Sequence, residues 1–172
     1  MMHLARNAAL MIRGFQSGDA RSIAAEADNI KIWNNMSDSF PSPYTEEEAM
    51  AYIERAQSKS PAQDFAIVAA DRAIGGISVA PLQGVERFSA EIGYWIGESY
   101  WNRGIASWAV GAFSSYLLSE TSIVRLVAIV YEYNRASSRV LEKNGFRLVG
   151  VMRKAAFKNN SFVDMLYYER CG

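Results

Sequence analysis

The chain has 172 residues, half of them apolar and 21% charged, which fits one domain long enough to bury a core. Lysine and arginine together number 18, as do aspartate and glutamate, and this balance argues against non-specific nucleic-acid binding, which needs a basic surplus. His3 is the only histidine and Cys171 the only cysteine, so a Ser-His-Asp or Cys-His device, an internal disulfide and a His/Cys metal site are not expected. No apolar run approaches the roughly 18 residues of a membrane span. Met1 to Arg13 has too short an apolar stretch for a secretory signal. The expected location is the cytoplasm. Any catalysis must use carboxylates, hydroxyls, tyrosines and backbone, or a group that a cofactor carries.

In chain order, Ala8 to Arg13 reads as a first strand, and His3 lies ahead of it in a segment expected to fray. Ser17 to Asp19 offers N-cap chemistry for a helix with Ile23, Ala24 and Ala27 on one face. Asn29 to Asp38 holds an apolar cluster of Ile30, Ile32, Trp33 and Met36. Phe40-Pro-Ser-Pro-Tyr44 is a loop restricted by Pro41 and Pro43. Thr45 and Glu48 form a capping-box pattern, with Ala49, Tyr52, Ile53 and Ala56 at helical spacing behind it. Phe65 to Ala70 and Ala73 to Val79 read as a hairpin around Asp71-Arg72. Gly75-Gly76 inside its second strand suggests a bulge or a close backbone approach.

Ser89 to Ser119 organises the rest. Glu91 to Ile96 is a strand, Gly97 to Asn102 a turn, and a helix begins at Arg103 or Gly104. Ile105, Trp108, Ala109, Ala112, Phe113, Tyr116 and Leu117 fall on one face of that helix. Its first N–H groups have no internal partner, and the helix dipole adds partial positive charge there. Gly104 lets a phosphate approach the backbone, and Arg103 adds a full charge and a donor fork. Asn102, Arg103, Gly104, Ile105 and Ala106 therefore form a candidate diphosphate cradle. The same residues also suit an ordinary strand-to-helix turn.

Ile123 to Val130 is an apolar strand covered on both faces. Asn134 caps a short helix, Arg135 to Lys143, and Gly145 suits the left-handed position after it. Arg147 to Phe157 and Phe162 to Tyr168 make a last hairpin around Lys158 to Ser161. No repeat or linker divides the chain, so residues 1–172 are expected to be a single domain. The order β-α-α-β-β-β-α-β-α-β-β gives an α/β (α+β) class with a mixed, mostly antiparallel sheet of about seven strands and about four flanking helices.

This order and its motifs resemble the GNAT superfamily of acetyl-CoA-dependent N-acetyltransferases over essentially the whole chain. The similarity is greatest to the branch that acetylates the N-termini of ribosomal proteins. Phe40 to Thr45 resembles the loop before that branch's second helix. Glu91 to Ile96 followed by Tyr100 to Ala106 resembles its acetyl-CoA motif. Asn134-Arg-Ala-Ser137, Lys143-Asn-Gly-Phe146 and Asp164 complete the pattern.

The resemblance implies a transferase that moves an acetyl group from acetyl-CoA to a primary amine in a ternary complex, with a protein or peptide N-terminus as acceptor. It places pantetheine on the backbone of Trp95 and Ile96 and the diphosphate on Asn102 to Ala106. A backbone N–H near Tyr94 to Ile96 would polarise the acetyl carbonyl. Glu91 is the proton acceptor on this reading, or else a solvated strand-end carboxylate. Ser137 is the hydroxyl donor to the departing thiolate, or else bonds the local backbone. Asn134 contacts pantetheine, caps its helix, or does both. Tyr131 and Tyr133 are alternative acids. Phe40, Tyr44 and Phe157 would line the acceptor pocket, and Trp33 lines it or packs in the core. No metal is called for, and no nucleic acid or membrane partner. The protein would be a monomer or, as relatives often are, a homodimer.

Two positions depart from the pattern. Ala156 stands where some relatives carry a glutamate, and Trp108 replaces an acid in the helix after the phosphate turn. These losses leave the acceptor and the base open. A small-molecule amine acetyltransferase (polyamine or antibiotic) and a non-catalytic acyl-CoA-binding module remain the alternatives.

Overall fold

The computed structural model of the protein describes residues 3–6 and 9–172. Its strands are β1 (His3–Arg6), β2 (Leu10–Gly14), β3 (Asp64–Ala69), β4 (Arg72–Pro81), β5 (Ser89–Ile96), β6 (Arg125–Tyr131), β7 (Arg147–Lys158) and β8 (Ser161–Cys171). Its helices are α1 (Ala20–Ala27), α2 (Ile30–Trp33), α3 (Glu46–Ser58), α4 (Ile105–Glu120) and α5 (Arg135–Lys143). They build one sheet in the order β1-β2-β3-β4-β5-β6-β8-β7. The β5–β6 pair is parallel, and every other neighbour is antiparallel.

The sheet carries a core on each face. On one, Ile105, Val110, Phe113 and Leu117 of α4 and Leu141 of α5 pack on Ile77, Ile92 and Leu126. On the other, Ile23 of α1 and Ile53 of α3 pack with Phe15, Tyr44, Ala66 and Val68. The alternation of β5 divides its residues accordingly. Ala90, Ile92 and Ile96 join the α4 core, while Trp95 packs against the α1–α3 core.

Local chemistry sets the element ends. Thr45 Oγ1 accepts from Glu48 N–H at 3.3 Å and starts α3. Asn134 Oδ1 accepts from Ser137 N–H at 3.1 Å and starts α5. Gly145 (φ +78°) ends α5 with paired return bonds, Gly145 N–H to Glu142 C=O and Phe146 N–H to Leu141 C=O. Asn159 and Asn160 both have positive φ, as the two-residue turn between β7 and β8 requires.

Several expectations change in detail. The eighth strand is β1, which pairs with β2 where fraying was expected. Ala8, placed at the start of the first strand, lies outside the described residues. The fifth helix is the short α2, capped by Asn29 Oδ1 on Lys31 N–H at 2.9 Å. The hairpin turn falls on Ala70-Asp71, both with positive φ, so that Arg72 already belongs to β4. Asp19 does not cap α1 with its side chain. Its carboxylate turns inward to a two-pronged bond with Arg13, at 2.7 and 2.8 Å. Among the described residues no helix is long and apolar enough to cross a membrane.

Candidate active site

The site begins where two strands part. β5 and β6 pair only at Ser89, Ala90 and Glu91, against Arg125, Leu126 and Val127. Beyond Glu91, β5 runs on along β4 to Ile96, and β6 runs on along β8 to Tyr131. Their facing backbone edges open into a wedge. β4 carries an extra residue opposite the Ile67–Val68 step of β3, a bulge that bends the strand and raises its twist. Gly97 N–H bonds Ile74 C=O at 2.8 Å, so the end of β5 is drawn onto that bend and away from β6. Gly75 makes the approach possible, because a Cβ there would stand 2.3 Å from the Trp95 carbonyl oxygen. Both readings of Gly75-Gly76, bulge and close approach, apply.

The wedge opens into a cleft of about 1150 Å³ that reaches both faces of the sheet. On the α4 side it is bounded by the turn into α4. Asn102 and Gly104 take left-handed backbone (φ +59° and +75°), and Gly104 is the N-cap with no side-chain capping bond. The first bond of the helix runs from Trp108 N–H to Gly104 C=O. The N–H groups of Ile105, Ala106 and Ser107 therefore point out of the helix end, where Gly104, Ile105, Ala106 and Ser107 line the cleft. This uncapped end of a 16-residue helix can hold a diphosphate.

Arg103 does not line the cleft. Its guanidinium lies over the Tyr100 ring, 5.5 Å from the centroid. The positive charge on this side comes from Arg135, Arg139 and Lys143, which do line it. They follow one another at i, i+4 and i+8 along α5, a stripe on one helical face. That spacing was visible in the sequence, but the helix could not be placed beside the phosphate turn before the fold was known. Asn144 fixes the placement. Its amide donates to Ser107 C=O at 3.0 Å and Val140 C=O at 2.8 Å, tying α5 to the start of α4.

Ser137 and Asn134 also face this half of the cleft. Ser137 Oγ lies 2.7 Å from the hydroxyl of Tyr94, a partner on β5 that the sequence reading passed over. Burial raises the Tyr94 pKa well above the ordinary tyrosine value, against a smaller lowering by the Ser137 bond. At the end of β5 the Ile96 carbonyl accepts from the Trp101 indole at 2.7 Å, so one of its lone pairs is taken.

Glu91 lies on the other side of the strand, with Trp95, toward α1–α3. It is half-buried, and burial alone raises its pKa. Among the described residues nothing hydrogen-bonds or ion-pairs with its carboxylate. Asp64, also in this half, is engaged by Lys59 at 2.7 Å and Tyr52 at 3.2 Å. Phe40 lines the cleft and stacks on Trp95 (5.9 Å, edge on) and Tyr44 (4.8 Å). Tyr44 reaches the cleft too, but it is not the exposed loop aromatic expected. It is 5% exposed, and burial pushes its hydroxyl up to about 12.

Phe157 does not share the cleft. It is exposed, pairs with Phe162 at 5.2 Å, and borders a separate hollow of about 310 Å³ with Trp33, Asp38 and Lys158. Lys158 is almost wholly buried there, 3.2 Å from the centre of the Trp33 ring and 2.8 Å from Asp38. Tyr131 and Tyr133 line the cleft and turn their hydroxyls to the backbone carbonyls of Met36 (3.5 Å) and Asn34 (2.5 Å). Asp164 supports a bulge. Its carboxylate accepts from the N–H of Lys154, a residue with left-handed φ opposite it on β7.

A parted β5–β6 pair with an uncapped helix end behind it suits a long ligand that carries phosphates at one end, and the sequence names a class of enzymes. Residues 9–147 match the family described as acetyltransferase (GNAT) domain, and the chain belongs to that family. A ribosomal-protein-serine acetyltransferase of Escherichia coli is 34% identical over 109 residues, 63% of this chain and 60% of that enzyme's length. An uncharacterized N-acetyltransferase of Bacillus subtilis is 28% identical over 161 residues, 92% of this chain and 91% of the other. Among solved structures, RimL, a ribosomal alpha-N-protein acetyltransferase in complex with coenzyme A, superposes with a TM-score of 0.86 at 21% identity, covering 99% of this chain and 98% of that one. A GNAT-family acetyltransferase from Bacillus anthracis gives 0.85 at 24% identity, covering 99% and 98%. At these identities the structures show the fold.

Proposed function

We propose that the protein transfers an acetyl group from acetyl-CoA to a primary amine, and that the amine is the N-terminus of a protein or peptide. One observation carries the reading. The wedge between β5 and β6 joins two unlike half-sites, an uncapped helix end with a basic stripe on one side and an unpaired, half-buried carboxylate on the other. Asn102 and Gly104 to Ala106 would hold the diphosphate. Arg135, Arg139 and Lys143 would balance its charge. The free edges of β5 at Trp95 and Ile96 would take the pantetheine amides, and Asn134 would stand beside them. Bound acetyl-CoA supplies an activated thioester.

The chain's own groups then have proton work to do. The attacking amine must be neutral. An α-amino group has a pKa of roughly 7.7–8.0 and lysine about 10.4, so an N-terminus needs little help at neutral pH. Glu91, with its pKa raised by burial, is suited to receive that proton. Ser137 is suited to donate a hydrogen bond to the sulfur. The name of the Escherichia coli relative, a ribosomal-protein-serine acetyltransferase, supports a protein as acceptor.

The test is thiol release from acetyl-CoA across three acceptor sets: peptides with free N-termini, peptides blocked at the N-terminus with a free lysine, and small amines. Release with the first set alone is expected. Release with small amines alone would replace the protein acceptor. No release with any of them, despite tight acetyl-CoA binding, would make the protein a binding module.

A further inference from the structure

We propose that Tyr94 is a positioning residue for Ser137: its hydroxyl donates to Ser137 Oγ and leaves the serine's own proton for the sulfur that departs. The inference rests on the reading above that the α4 side of the cleft holds acetyl-CoA.

A serine hydroxyl facing a sulfur helps only if its proton points there. Ser137 is fixed through its backbone, because its N–H is held by Asn134 Oδ1 at 3.1 Å. Its hydroxyl can still rotate. Tyr94 comes from β5 across the cleft and meets Ser137 at two atoms, Oγ at 2.7 Å and the backbone carbonyl at 3.2 Å. These contacts allow two proton arrangements. In one, Tyr94 donates to Oγ and the Ser137 proton is free. In the other, Ser137 donates to Tyr94, Tyr94 donates to the carbonyl, and the sulfur receives nothing.

Acidity chooses the first: the 2.7 Å contact is made in both, and the second gains only the longer bond to the carbonyl at 3.2 Å. An O–H···O bond is best at about 2.7–2.8 Å and weak beyond about 3.0 Å. The phenol is the stronger acid of the two hydroxyls, and so the better donor. Burial keeps Tyr94 protonated, since its pKa is displaced upward. Tyr168 on β8 is its titratable neighbour, and Arg139 and Lys143 of α5 line the same cleft.

The step balances without proton transfer along this pair. The amine nitrogen bonds the acyl carbon, the C–S bond breaks, and its electron pair goes to sulfur. The amine's proton goes to Glu91 or water. Tyr94 and Ser137 keep their protons and lower the energy of the thiolate by hydrogen bonding.

The experiment needs no acceptor. Coenzyme A is bound to the protein and its thiol is titrated by the ultraviolet absorbance of the thiolate, with the protein-alone signal subtracted. A free thiol titrates near about 8.5. The wild-type complex is expected to titrate lower. Tyr94→Phe keeps the ring and removes only the hydroxyl. It should raise the midpoint by roughly one pH unit, the scale of one hydrogen bond. Ser137→Ala should raise it equally, the double variant no further, and Ser137→Thr should restore the wild-type value. Tyr94→Phe titrating like wild type would overturn the proposal while leaving the cofactor reading intact. So would additive effects in the double variant, or Ser137→Thr behaving like Ser137→Ala. Failure of the wild type to bind coenzyme A would overturn both.

Discussion

Glu91 illustrates how position suits an ordinary carboxylate to the role of base proposed for it. It lies on β5 at the last rung of the ladder to β6, half-buried and with no partner for its carboxylate among the described residues. Burial favours its neutral form. Its folded pKa is above the unfolded value, so the folded state loses stability as pH rises through that range and the charge appears. Glu91→Gln should therefore raise the melting temperature at neutral pH, and the gain should vanish in acid, where both forms are uncharged. The same change should lower kcat by about a hundredfold or more, the scale of general-base catalysis, and remove the acid limb of the pH–rate profile. Turnover and pH profile unchanged from wild type would end its role as base. Ala156 fits this division of labour. A side chain there lies on β7, paired with Val163 of β8, whereas Glu91 is a half-buried carboxylate of the cleft with no partner among the described residues.

At the scale of elements, two glycines shape the site for different reasons and predict different losses. Gly75 is required by contact, since a Cβ would meet the Trp95 carbonyl at 2.3 Å. Backbone on both sides leaves no flexible group to yield. Gly75→Ala should cost about 1–3 kcal/mol in urea unfolding, and activity should fall with it as the lip of the wedge shifts. Gly104 is required by conformation. Its φ is +75°, but an added Cβ would have nothing within 4 Å. Gly104→Ala should cost only about 1–2 kcal/mol of stability. It should weaken acetyl-CoA binding by about tenfold or more, because the new methyl group stands where the phosphate must meet the helix end. Binding isotherms and unfolding curves on the two variants separate the cases. These elements were largely readable in advance, as were Thr45, Asn134 and Gly145, because each is local chemistry written at fixed offsets. What could not be read was every relation between elements far apart in sequence. The Tyr94–Ser137 bond spans 43 residues and the Lys158–Asp38 bond 120. Tyr44 looked exposed beside its prolines, and became buried only when α1 and α3 closed over it. Phe157 looked like a neighbour of Phe40, but the length of the β7–β8 hairpin carries it to a different hollow.

For the whole molecule, a zero net charge conceals a sharp local asymmetry. Arg135, Arg139, Lys143 and the uncapped start of α4 gather positive potential on one half of the cleft, while Glu91 faces the other. A ligand carrying several phosphates is recognised by that half only if its remainder also fits the wedge between β5 and β6. Acetyl-CoA has both parts, whereas ATP has the phosphates without a pantetheine arm to run along the free strand edges. Acetyl-CoA at about 100 times its dissociation constant should stabilise the fold by roughly 2.7 kcal/mol, equivalent to roughly 5–10 °C in melting temperature for a domain of this size. ATP and NAD at the same concentration should give much less. Arg139→Gln together with Lys143→Gln should shrink the acetyl-CoA shift and flatten its dependence on salt, since exposed charges act through a screened field. A full shift with ATP would mean that phosphates alone are read and that the wedge contributes nothing to recognition. No shift with saturating acetyl-CoA would remove the basis for placing its diphosphate at Gly104, and with it the assignment of the two half-sites.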